Sequence, residues 1–171
     1  MDIACHLGPS YIAGVIYSGG ATLSIALSGE TIPEDFLPLM EYALSTDANV
    51  IARFASSFVD GCVANSAALP WAVKLQWMGA FAAQPPEVRS WSFGRTQDAT
   101  RWQKEARGWP VLLIQGALDT HCRADVLVRQ VKEAYADVTV HVLEGVGHSP
   151  HFEQAETVND VILKFIEAKR Q

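Results

Sequence analysis

No lysine or arginine precedes Arg53, and the first 29 residues carry one formal charge, Asp2. That scarcity excludes a secretory signal, which needs a basic start, despite the apolar stretch from Tyr11 to Leu27. Gly19-Gly20 splits the stretch, so no run nears the about 20 residues of a membrane span. A membrane is not an expected partner. Cysteine is also sparse: Cys5, Cys62 and Cys122 are scattered, with no CxxC pair. A disulfide framework is thereby excluded, and free thiols in a reducing, cytoplasmic setting are expected. Clustered basic residues are missing too, and the net charge is -6. Nucleic acid is an unsuitable partner for such a surface.

What remains is a globular composition, 49% hydrophobic and 19% charged over 171 residues. This suits one domain with a substantial core. Asp2 to Leu7 reads as a helix tail stopped by Gly8-Pro9. Tyr11 to Ser18 then reads as a buried strand closed by Gly19-Gly20. From Ser28 to Ser90 the pattern is helical. Pro33-Glu34-Asp35 opens one helix, Ala48 to Val59 forms a second, and Ser66 to Phe81 a third. The third carries two apolar stripes, Leu69, Val73, Trp77, Phe81 and Trp71, Leu75, Met78. Such a helix either buries both or packs one and roofs a pocket with the other. Gln84-Pro85-Pro86 is expected to end this insert.

A short helix follows over Ala99 to Arg107, then a strand over Pro110 to Gln115. Cys122 to Tyr135 is an amphipathic helix and Val138 to Leu143 a third strand. A last helix runs from Glu156 to Ala168, with Val158, Ile162, Phe165 and Ile166 on its core face. Strands alternating with helices imply a parallel sheet. About three strands are expected, and the first leaves an open edge prone to self-association.

Two loops carry the chemistry. Gly116-Ala-Leu-Asp119 follows the second strand and Gly145-Val-Gly-His-Ser149 the third. In a parallel sheet both open at the C-terminal edge of the strands, where α/β proteins place their sites. A carboxylate on one loop then holds the imidazole on the other in one tautomer, the orienting half of a nucleophile–histidine–acid triad. Asp119 and His148 are therefore the candidate catalytic acid and base. The alternatives are a turn aspartate and a loop histidine bonded to backbone. His151 competes with His148 but lies outside the glycine-flanked turn.

At these residues the chain resembles the α/β-hydrolase family, in its C-terminal half. Trp109-Pro-Val-Leu-Leu-Ile-Gln-Gly-Ala-Leu-Asp119 is similar to the segment presenting that family's catalytic acid. Leu143-Glu-Gly-Val-Gly-His-Ser-Pro-His-Phe-Glu153 is similar to its histidine loop. The resemblance implies a truncated α/β-hydrolase fold: residues 1–27 and 91–171 as partial core, and 28–90 as a helical cap insert. It implies hydrolysis of an ester or related bond in a small apolar substrate, with no metal and no organic cofactor. It also puts the nucleophile elbow and oxyanion loop upstream of Met1, as in a truncation or a gene model begun at an internal methionine. The contrasting expectation is an inactive hydrolase fragment that binds or complements a partner.

Nucleophiles within the chain fare poorly. Ser90-Trp-Ser-Phe-Gly94 imitates G-x-S-x-G, yet no buried strand feeds Ser92. Ser18 does end a strand, but no helix follows at once. Cys122, near Arg123 and a helix start, reads as a small packed side chain rather than an activated thiol. His121, Cys122, His148 and His151 lack the spacing of a metal site.

Overall fold

A computed structural model of the protein describes Ile3 and residues 6–169. Its centre is the apolar run that follows Trp109. Strand β2 (Pro110–Gly116) lies between β1 (Val15–Ser18) and β3 (Asp137–Leu143), parallel to both. Successive β2 side chains point to opposite faces. Val111 and Leu113 face one core, with Trp102, Trp109, Leu127, Val131 and Tyr135. Leu112 and Ile114 face the other, with Val158 and Phe165. All four strand residues are fully buried, which explains why β2 reads as a continuous hydrophobic run. Burying each contributes roughly 1.5–3 kcal/mol.

The register pairs Ser18 with Ile114 and Gly116 with Leu143. The three strands therefore end at one edge, and the loops after them converge there.

Among the described residues from Pro9 onward, the helices are α1 (Ile25–Thr31), α2 (Leu37–Ala43), α3 (Ala48–Gly61), α4 (Trp71–Ala82), α5 (Pro86–Gly94), α6 (Thr100–Glu105), α7 (Ala124–Ala134), α8 (Pro150–Glu153) and α9 (Ala155–Ala168). Helix α1 is set by Ser24, whose hydroxyl accepts from the Leu27 N–H at 3.2 Å. Asp47 caps α3 by accepting from the N–H groups of Asn49 and Val50.

Several boundaries differ from the sequence reading, each for a local reason. Of the expected Asp2–Leu7 helix tail, Asp2, Ala4 and Cys5 lie outside the described residues; Ile3 and His6 are helical, and the Leu7 and Gly8 N–H groups close on the Ile3 carbonyl. Strand β1 begins at Val15 rather than Tyr11, because Pro9–Tyr11 form a 3-10 turn and the partner strand starts only at Pro110. The helix expected from Ser66 starts at Trp71, since Pro70 keeps Leu69 extended. Gln84-Pro85-Pro86, expected to end the helical segment, separates α4 from a further helix, α5, with Pro86 at its first position. Arg89 binds α5 to α2 by donating from Nε to the Ala43 carbonyl at 2.8 Å and from Nη2 to the Ser45 carbonyl at 3.0 Å. Ile166 is 37% exposed, so α9 packs through Val158 and Phe165.

Helix α4 buries neither stripe completely. Val73, Trp77 and Met78 pack on Val59, Val63 and Leu69, while Trp71 (66% exposed) and Leu75 face outward.

Candidate active site

Gly19-Gly20, the turn after β1, sets the floor of the site. Both glycines have positive φ, and a Cβ on Gly20 would lie 2.6 Å from His148 Cε1 and 2.9 Å from its Nδ1. Only glycine gives this conformation and lets the backbone approach the imidazole so closely.

Asp119 sits on the turn after β2, its side chain 0% exposed. His148 sits on the loop after β3, with its side chain 24% exposed. His148 Nδ1 lies 2.9 Å from Asp119 Oδ2 and 3.1 Å from Oδ1. Oδ1 also accepts from the His121 and Cys122 N–H groups at 2.8 and 3.0 Å. Oδ2 accepts from Gln115 Nε2 at 2.5 Å. Burial pushes the Asp119 carboxyl upward, but its bonds to His148, the His121 N–H and Gln115 outweigh burial and leave it below the usual carboxylate range. A carboxylate thus held keeps the ring's Nδ1 as donor.

Gln115 was not apparent as a site residue. It ends the apolar β2 run, is fully buried, and accepts the Gly20 N–H on Oε1 at 2.8 Å while donating to Asp119. It therefore ties the β1 turn to the acid. A glutamine inside a buried strand is its one sequence signal, because a buried amide needs partners.

Glu153 was likewise missed. Its carboxylate accepts from the Gly147 N–H at 2.8 Å and the Ala64 N–H at 2.7 Å, clamping the histidine loop to the segment after α3. Gly147 permits that docking: a Cβ there would meet Ala64 N at 2.6 Å and the Val63 carbonyl carbon at 2.7 Å.

The remaining candidates separate from the pair. Ser92 lies within α5, so no strand feeds it. Ser18 ends β1 with its Oγ buried and unpartnered, and α1 begins only at Ile25. Cys122 is buried; burial and the Asp119 charge push its thiol up to about 12, which disfavours the thiolate. His151 is an exposed residue of α8. Cys62 and Cys122 are free thiols. Among the described residues, no serine hydroxyl or cysteine thiol is hydrogen-bonded to His148 Nε2, and no three His, Cys, Asp or Glu side chains converge in a way that would hold a metal. None of the described helices is long and apolar enough to cross a membrane.

A parallel sheet whose C-terminal edge joins a buried aspartate to a loop histidine defines an α/β protein of hydrolase type. The chain belongs to the alpha/beta hydrolase family, whose sequence profile matches residues 3–161. No curated protein matches it. Among solved structures, a Burkholderia cenocepacia protein assigned as an aryl esterase superposes with a TM-score of 0.80 at 20% identity, over 98% of this chain and 59% of that one. The esterase RhEst1 from Rhodococcus sp. gives 0.79 at 19% identity, over 96% and 59%. A bromoperoxidase from Bacillus anthracis gives 0.75 at 17%, over 97% and 62%. These likenesses establish the fold, and the chain spans about three-fifths of each relative's length.

Proposed function

We propose that Asp119 and His148 are the acid and base of a nucleophile–histidine–acid triad that hydrolyses an ester or related bond in a small apolar substrate. The observation that carries this reading is the 2.9 Å contact from Nδ1 to a fully buried carboxylate. Asp119 holds the tautomer in which Nε2 is free to take a proton and stabilises the imidazolium that forms. His148 deprotonates the nucleophile as it attacks the carbonyl and protonates the leaving group; it then deprotonates a water that attacks the acyl group and returns that proton to the nucleophile as the acid product leaves. The nucleophile and oxyanion donors come from sequence preceding residue 1. The helices between β1 and β2, in the span 28–90, act as the cap that selects the substrate. The reaction uses no metal or organic cofactor, and the setting is cytoplasmic.

The test is p-nitrophenyl ester turnover, with fluorophosphonate labelling. With the upstream coding sequence included, the protein turns over ester, and His148→Ala loses at least about 10³-fold. Wild-type turnover by that variant overturns the reading. The 171-residue chain alone stays near the buffer rate, and labelling at Ser18 or Ser92 would place the nucleophile inside it.

A second reading rests on the open edge of β1, which pairs only with β2 among the described strands. The chain then acts as an inactive binding or complementing partner through that edge.

A further inference from the structure

Two residues after the buried acid stands a histidine that the triad does not use. His121 is 7% exposed, and neither ring nitrogen has a hydrogen-bond partner. A buried polar group left unpaired costs about 1–3 kcal/mol. Its ring is walled by Phe58 at 4.5 Å, Phe36 at 4.6 Å and His148 at 4.7 Å between centroids. The edge carrying Nε2 lies against α3 at Gly61, where a Cβ would approach to 2.4 Å. Burial, reinforced by His148, lowers its pKa to about 4, so the ring is neutral near pH 7 and offers one donor and one acceptor.

His121 also lines a cleft of about 180 Å³ with Asp35, Phe36, Leu39, Ser57 and Gly61. Through Leu39 and Ser57 this adjoins a second cleft of about 360 Å³ that reaches Phe54 and Tyr42. The first has room for a small ring, and the second for an apolar extension. Asp35 on the wall and Asp119 behind the ring oppose an anionic ligand.

We infer that His121 is a specificity-determining residue that hydrogen-bonds the hydroxyl of a neutral aromatic ligand seated between α2 and α3, beside His148. A hydroxyl matches both capacities of a neutral imidazole, and Phe36 and Phe58 supply the aromatic wall. Seated in the cleft, the ligand recovers the hydrogen bond that the His121 ring lacks in the free chain. This deepens the hydrolase reading, on which it rests, by making the substrate or its leaving group a hydroxyaryl compound. A site that satisfies a buried polar group this way discriminates against ligands lacking the hydroxyl.

Phenol, toluene and benzoate, titrated into the 171-residue protein and followed by long-range ¹H–¹⁵N NMR of the histidine rings, test the inference. Phenol is expected to shift the His121 ring nitrogens and bind at least about fivefold tighter than toluene or benzoate. His121→Phe should erase the preference for phenol over toluene, and His121→Gln should retain part of it. Equal binding of phenol and toluene, tighter benzoate, or an undisturbed His121 ring overturns the inference without any variant having to fold. The readout needs no turnover. A missing phenol preference leaves the Asp119–His148 pair as it stands, and failed ester hydrolysis leaves a measured preference intact.

Discussion

Asp119 is the residue with most depending on it, because its two oxygens receive two backbone N–H groups, one amide and one imidazole. Asp119→Ala strands the buried Gln115 amide and the His121 and Cys122 N–H groups together, so a loss of about 2–4 kcal/mol in urea unfolding is expected. His121 predicts a separate acid sensitivity. Its folded pKa is about 4 against 6.5 for an unperturbed histidine, so the unfolded chain binds the extra proton first. Its contribution is therefore complete above pH 6.5 and fades as pH falls toward 4, by on the order of 3 kcal/mol. His121→Phe should flatten that part of the stability–pH curve. Asp119 works lower: with its folded pKa depressed, its contribution persists above the ordinary carboxylate value and is lost only as pH falls through the folded one.

The histidine loop is positioned by its hydrogen bonds to Glu153 and Leu118 and by the close docking of Gly147 on the Val63–Ala64 backbone. Gly147→Ala pushes a methyl into the Val63–Ala64 backbone, which has no side-chain end to yield, so the loop must shift or the chain lose about 2 kcal/mol or more. Denaturant unfolding together with the His148 ring shifts separates those outcomes. Unchanged stability and an unmoved ring would refute the docking. This clamp was hidden in the sequence because Glu153 and Ala64 are 89 residues apart. No local pattern links them. Strands β2 and β3 and helices α6, α7 and α9 were legible because their periodicity follows burial directly: β2 is buried on both faces, and α9 packs through Val158 and Phe165. Strand β1, expected as a buried strand from Tyr11, is instead four residues long with Ile16 exposed. The span 28–90 was legible only as helix. Its breaks at Pro70 and Pro86 depend on where prolines start a helix rather than stop one, and Trp71, expected on an apolar stripe, faces outward. Gln115, Glu153 and the orphaned His121 ring are tertiary facts, visible only once the loops are brought together.

At the scale of the whole molecule, β1 is a short strand that pairs only with β2 among the described residues, and Ile16 on it is exposed. The isolated chain is expected to self-associate through this edge as its concentration rises, and Ile16→Lys should move it toward monomer in sedimentation velocity. A wild-type monomer at all concentrations would contradict that expectation. Everything else about the site depends on two loops, from neighbouring strands, meeting over one end of the sheet. The most direct test is the tautomer of His148, read from its ring nitrogens by long-range ¹H–¹⁵N NMR near neutral pH. With Asp119 in place, the proton is expected on Nδ1 in a hydrogen-bonded resonance that disappears in Asp119→Ala. A wild-type ring protonated on Nε2 alone, or one indifferent to the substitution, would contradict the account.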